Sequence, residues 1–422
     1  MSTAEAVTRR CGNPIVFLTL VLSLVINIGA GGLLLLYLAA LALVSRLRLV
    51  VQSFRNFTLE FCRSDIGRMY LVVSGLTLIV LFLSFYHREW GELEVALKRF
   101  FIAYVVVNFI WKYSTRLILD GAAVGALLAC VVAVVQVVWL GADRAEGPTN
   151  AIRFGMIAAL FSAVSLAGAM FSIESRVHSM FYGAAGFGGL VATFFSGSRG
   201  ALLALPFMLA PLALRLVSAW SWRRLALLFA YILVAFALFV SDGGKLRTRT
   251  ETALIAMGLP QETAAGHEGQ SAQEDQSAHI RRALLVAAFD LFRKNVWLGA
   301  GYLGWTEAIA GANSSPNPED RLKANFNQAH NQYANDLAKG GLLRGAAGLA
   351  FVLVPLLFFL RARPFSDWPA TMPALLGVIV VLGFGAFSLT ESVMVLSLPA
   401  SLYSLLVFYL LGAKEESWSK SA

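Results

Sequence analysis

Apolar runs separated by short basic or glycine-rich breaks fill most of the chain from Pro14 onward. Several windows of about 20 residues hold few or no charges, long enough as helices to cross a ~30 Å hydrocarbon core. Their length and lack of strict alternation argue against the short strands of a barrel. The pattern therefore predicts an all-α polytopic membrane protein. Residues 14–45 are too many for one crossing and are broken by Gly29, Gly31 and Gly32, so they read as two short helices meeting at a turn. Further spans are predicted near 69–86, 100–111, 117–140, 151–172, 177–195, 201–220 and 225–240. After a long polar loop at 241–340, three more follow near 341–360, 369–389 and 393–411, and a short tail occupies 413–422. The total is about twelve transmembrane helices, nine of them within residues 1–240.

Charge assigns the sides. Arg9 and Arg10 share a side with Arg46, Arg48, Arg55, Arg63 and Arg68, the dense basic cluster expected of the cytoplasm. With both chain ends there, Lys112, Arg116, Arg176, Arg215, Arg223, Arg224, Arg361, Arg363 and Lys414 fall on the same side. Arg153, Arg199 and Glu391 fall on the opposite one, together with the long loop. The formal net charge of +9 belongs to this topology, because no basic block is interleaved with aromatics as a nucleic-acid partner would require. The opening MSTAEAVTRRCGNP has no small-residue cleavage site and leads into a retained first helix. Cys11 and Cys62 fall on the reducing side and Cys130 inside a span, so no disulfide is expected.

Within the loop, residues 261–277 (QETAAGHEGQSAQEDQS) are polar and read as mobile. HIRRALLVAAFDLFRKNVW, residues 279–297, has apolar positions at helical spacing and predicts an amphipathic helix lying on the membrane or over the bundle. NVWLGAGYLGW, residues 295–305, is a glycine turn flanked by aromatics suited to the membrane interface.

The chemistry concentrates on the side opposite the basic loops. Arg199, in SGSRG between two spans, runs against the usual charge bias, and an arginine at mid-bilayer costs at least ~2.5 kcal/mol. Its permanently charged planar fork suits a phosphate or carboxylate. Arg281 and Arg282 open the amphipathic helix and read either as solvated charges or as a pair for a lipid phosphate. His330 heads the polar run HNQYANDLAKGG. Placed in a first helical turn, it would meet the positive end of the helix dipole, which favours the neutral imidazole a general base requires. On that helix Tyr333 and Leu337 would share its face, beside a stripe formed by Asn331 and Asn335. His87, His178, His267 and His279 are assigned no role. DxD, HExxH, CxxC and nucleotide-binding glycine loops are absent, so metal-dependent transfer, zinc hydrolysis and ATP-driven pumping lose support, and no cofactor is expected.

Four pieces in order, SRG at 198–200, the Arg-headed helix running from Arg281 to the glycine turn at Gly299, HNQY leading to Gly340, and LTES at 389–392, make the sequence resemble the O-antigen ligase and polymerase superfamily of bacterial envelope glycosyltransferases. The resemblance implies a GT-C-like bundle in the bacterial inner membrane, with the long loop in the periplasm. It implies His330 as base and Arg199 and Arg281 as diphosphate ligands, with Arg282, Asn331, Glu391 and Arg153 as supporting candidates and no metal. A proline usual before the glycine turn is replaced here by the run NVWLG. The single dominant loop and short tail point to a ligase, joining O-antigen from undecaprenyl diphosphate to a lipid A-core acceptor among membrane lipids. A polymerase or a protein O-oligosaccharyltransferase of the same superfamily is the alternative. A lipid-linked glycan transporter would call for broken polar helices paired between two halves, and no such pairing is found.

Overall fold

The computed structural model describes residues 13–14, 16–21, 23, 63–110, 112–171, 175–241, 271–313, 326–366 and 369–419. Most of the first two predicted spans, with Arg46, Arg48 and Arg55, therefore lie outside the described residues, as do 261–270 with His267. Twelve long helices, numbered here in chain order, are described: α1 Asp65–His87, α2 Leu93–Phe109, α3 Thr115–Val134, α4 Ala151–Phe171, α5 Arg176–Ser196, α6 Arg199–Ser218, α7 Trp222–Ser241, α8 Ser271–Lys294, α9 Gly301–Asn313, α10 Gln332–Arg361, α11 Met372–Thr390 and α12 Ser397–Ser419. A π-helical turn, Val135–Trp139, extends α3.

These helices are not the twelve predicted crossings. Among the described residues, α1, extended α3, α4, α6, α10, α11 and α12 are long and apolar enough to cross a membrane. Length and composition thus support seven crossings where the pattern predicted ten. The other three predicted spans coincide with α2, α5 and α7, which are helical. However, α2 has only 17 residues, and α5 is diluted by four glycines and opens on Arg176 and His178.

Burial orders the bundle. α4, α11 and α12 are covered nearly all round, so they form its centre. α4 packs on α5 and α6, α6 on α11, and α10 on both α1 and α11. Small residues dominate the α4–α5 contact and let the two backbones approach, as expected where packing rather than water expulsion drives helix association. Outward residues such as Leu78, Phe85, Val217, Phe229 and Phe236 are exposed in the isolated chain, the inside-out pattern of a lipid-facing surface.

The loop helices α8 and α9 form a second small core with the start of α10, built on Leu284, Ala288, Trp305, Ile309, Ala334 and Ala338. The amphipathic helix predicted over 279–297 is present but begins earlier. Residues 271–277, read from their polarity as mobile, are helical. Gln, Glu and Ala are good helix formers, and the apolar face that follows anchors the helix.

Two glycine motifs lock this core to the bundle. At Gly341 the backbone adopts φ 60°, ψ −158°, so α10 is two helices meeting at a kink. That region of φ/ψ space is essentially reserved for glycine. The break frees backbone groups of α10 that the loop collects: Leu342 N–H donates to Val296 O at 2.7 Å and Leu343 N–H to Trp297 O at 3.3 Å, while Ala338 O accepts from Ala300 N–H of the loop at 2.8 Å. A Cβ on Gly341 would sit 2.4 Å from Trp297 C, and one on Gly299 2.3 Å from Gly340 N. The turn before α9 and the kink in α10 are thus backbone against backbone. The sequence presents them as separate features forty residues apart.

Candidate functional site

The SRG turn is built by its own residues. Gly197, at φ 58°, ends α5 in the left-handed conformation. Ser198 then caps α6, its Oγ accepting from Ala201 N–H at 3.4 Å, so that Arg199 becomes the first residue of the helix. Arg144 holds the turn from the preceding loop, donating to Ser196 O at 2.8 Å and Gly197 O at 3.2 Å. On the other side, a Cβ at Gly200 would lie 2.2 Å from Thr390 Oγ1. The glycine therefore lets the start of α6 close onto the end of α11. This contact brings half-buried Arg199 to the neighbourhood of Glu391.

Glu391 is the C-cap of α11, buried, with extended backbone. Its carboxylate accepts from His330 Nδ1 at 3.0 and 3.1 Å, from Gln328 Nε2 at 3.1 Å and from its neighbour's Ser392 N–H at 3.0 Å. Burial alone would raise this carboxyl. The hydrogen bond and charge of His330, the Ser392 N–H and the charge of Arg281 together outweigh burial and hold it below the usual carboxylate range. An ionised carboxylate only accepts, so Nδ1 must carry the hydrogen and Nε2 is left as the basic nitrogen. Phe326 packs edge-on to the ring with centroids 5.2 Å apart. Ring orientation and tautomer are fixed from two sides.

His330 does not stand on a helix as predicted. It adopts φ 49°, two residues before α10, and Asn331 takes the N-cap, accepting from Ala334 N–H at 3.0 Å and donating to Leu389 O at 3.0 Å. The helix-dipole argument therefore does not apply; the ring's partner is the Glu391 carboxylate. Strain of this kind at a non-glycine residue costs of order 1–3 kcal/mol and persists only where its surroundings over-determine it, as the cap and the carboxylate do here. Asn335 is buried and its amide has no hydrogen-bond partner among the described residues, so it does not bond His330.

Arginines converge on the same carboxylate. Arg281, on α8, and Arg153, in the first turn of α4, both feel its charge. Arg282 is exposed on α8. Arg153 Nε is buried with no hydrogen-bond partner among the described residues. Arg153, Arg199, Arg281, His330 and Glu391 thus come from four bundle helix ends and the loop helix, and among the described residues His330 Nε2 has no hydrogen-bond partner.

A second ionic cluster escaped the sequence reading. Glu92, just before α2, accepts from Lys339 Nζ at 3.0 Å and pairs with Arg344, which also donates to Asp336 Oδ1 at 2.8 Å. Burial would raise Glu92, but the two cations drive it down to about 2. Gln332 ties this cluster to the 391–395 segment, donating to Asp336 at 2.9 Å and accepting from Met394 N–H at 2.8 Å. Glu89 accepts from Tyr302 and Leu303 N–H at the start of α9, and His87 Nε2 lies 3.0 Å from Leu298 O. Single charges in a loop between spans gave no sequence signal. Only the fold brings residues 87–92 to residues 298–344.

Residues 184–347 match the family model described as O-antigen ligase, while no curated protein matches the chain. The matched stretch holds SRG, Arg281, both glycine motifs and His330; Arg153 and Glu391 lie outside it.

Proposed function

From the premise that the chain is an O-antigen ligase-family protein, we propose that it transfers O-antigen from undecaprenyl diphosphate to a lipid A-core acceptor on the periplasmic face of the bacterial inner membrane, by inverting, metal-independent glycosyl transfer. The observation that carries this reading is the His330–Glu391 pair at 3.0 Å, with Nε2 free of any partner among the described residues and Arg153 and Arg281 within reach of the carboxylate's charge. An acceptor hydroxyl hydrogen-bonded to Nε2 attacks the anomeric carbon of the donor. The proton passes to Nε2, and Glu391 stabilises the imidazolium as the carboxylate of a catalytic triad does. The C1–O bond to the diphosphate breaks on the opposite face, and undecaprenyl diphosphate departs with the bonding pair. Arg199 and Arg281 take up the charge that develops on it, Arg199 with the help of the N–H groups at the start of α6. The loop core on α8 and α9 shields the reacting sugars from water.

The test is reconstitution of the full chain in lipid with a defined undecaprenyl-diphosphate glycan and rough lipopolysaccharide, the product identified by mass. Ligation by the wild type and its loss in His330→Ala are expected. Chain extension of the donor without acceptor would assign a polymerase instead, and near-normal ligation by His330→Ala would remove the base from the mechanism.

A further inference from the structure

A cavity of about 330 Å³ lies beside the His330–Glu391 pair, on the far side of Gln328. Its polar walls include Glu89, Glu92, Arg99, Asn327, Gln328, Lys339 and Arg344. The size is at the lower end of small-molecule sites, roughly 300–1,000 Å³, with room for about one sugar residue and its substituent. Neither Arg199 nor Arg281 lines it, so what it holds is distinct from the departing diphosphate.

Around this wall three cations, Arg99, Lys339 and Arg344, face three carboxylates, Glu89, Glu92 and Asp336. Lys339 and Arg344 are taken up by Glu92 and Asp336. Glu89, also in the wall, accepts from the backbone at the start of α9. Arg99 is left over. It is only 7 % exposed, sits 5.5 Å over the Phe351 ring, takes part in no ion pair among the described residues, and its Nε has no hydrogen-bond partner there. An arginine cannot shed its charge, and a buried one with no carboxylate in direct contact is costly, whereas its planar fork binds a phosphate or carboxylate through two parallel bonds. Gln328 both walls the cavity and donates to Glu391, so a saccharide anchored here by its anionic group presents neighbouring hydroxyls toward His330.

We propose that this cavity is the acceptor's anionic subsite: a phosphate or carboxylate carried by a core sugar pairs with Arg99 and holds the attacking hydroxyl beside His330. The inference rests on the ligase reading and adds to it the charge class of the acceptor sugar.

Acceptor kinetics of the full chain in lipid would test it, using rough lipopolysaccharide intact, stripped of core phosphate, or with its carboxyl groups reduced to alcohols. Arg99→Gln should raise KM for the intact acceptor about tenfold or more, with a much smaller change in kcat and in donor KM. One charge-stripped acceptor should show the same raised KM with the wild type and no further rise with Arg99→Gln, while Arg99→Lys recovers part of the loss. If Arg99→Gln worsens every acceptor by the same factor, the proposal is overturned, since its effect would then be on packing or on a phospholipid headgroup. Should the wild type ligate nothing, the ligase reading fails, and inorganic phosphate titrated onto the Arg199→Gln/Arg281→Gln protein still decides the site. Binding that disappears on adding Arg99→Gln supports it, and binding unchanged by that substitution refutes it.

Discussion

Replacing Glu391 with Gln isolates the charge of the carboxylate from its shape. The 3.0 Å contact between Nδ1 and Oε2 puts the centres of ring and carboxylate roughly 4 Å apart. The side chains are 16 % and 5 % exposed, so solvent screens the pair only partly. At an effective dielectric constant of about 20, a pair at that separation attracts by ~4 kcal/mol. The attraction exists only once His330 has taken the proton, so it lowers the barrier rather than the ground state. Its loss should reduce kcat by about 10³-fold, at 1.36 kcal/mol for each factor of ten. A second effect acts in the same direction. Oε1 accepts from both Gln328 and Ser392, so a glutamine that keeps those bonds turns its NH₂ toward Nδ1 and favours the wrong tautomer. The assay is single-turnover glycan transfer in proteoliposomes, with thermal unfolding as the check on folding. Activity within tenfold of wild type in a folded Glu391→Gln protein would refute the base–carboxylate reading.

Three further outcomes are expected. Gly341→Ala should lower stability by at least about 1–3 kcal/mol through backbone strain alone, with more from the clash against Trp297, read as a fall in the unfolding midpoint in detergent. Glu92 is held at about 2 against an ordinary 4.5, so its stabilisation, on the order of 3 kcal/mol, is fully present above pH 4.5 and is lost as pH falls toward 2. The stability gap between wild type and Glu92→Gln, measured by denaturant unfolding, should therefore be widest near neutrality and close on acidification. Arg281→Ala should reduce kcat by about 10²-fold or more, with Arg281→Lys recovering only part of it because the planar fork is lost, as initial transfer rates would show.

What could be read in the sequence follows the range of the forces involved. The helical, membrane-embedded class rests on side-chain composition, which acts locally, and the helices of the bundle fall near their predicted places. Arg199 at a helix start and a break at Gly340–Gly341 were legible for the same reason, since serine caps and glycines act within a turn. His330 was misplaced by two residues because its conformation is set from outside: Glu391, sixty-one residues on, and the cap of α10 decide it jointly. The Glu92, Asp336, Lys339 and Arg344 cluster was illegible because each charge, taken alone, looks like an ordinary solvated residue at a span end. The glycine turn and the glycine kink were each visible, but their mutual contact is a backbone approach, which no side-chain pattern encodes.

The charge count around His330 gives the proposed reaction a further constraint. In the proposed reaction His330 starts as the free base, and Arg153, Arg199 and Arg281 against Glu391 then leave a surplus of about two positive charges. A sugar–diphosphate–lipid donor carries about two negative charges, one on each diester-like phosphate, so the Michaelis complex is close to neutral. Bond cleavage adds one negative charge to the leaving diphosphate, and proton transfer to Nε2 adds one positive charge to His330. The two changes occur within the same buried site, and its net charge does not alter between donor complex and products. A low-dielectric pocket strongly resists uncompensated charge, so this coupling favours deprotonation of the acceptor in step with departure of the diphosphate rather than before it. It also assigns Arg153, which lies outside the stretch matched to the family model, a definite share of the work. Without it the surplus falls to one, the donor complex becomes anionic, and donor binding should weaken more than the chemical step slows.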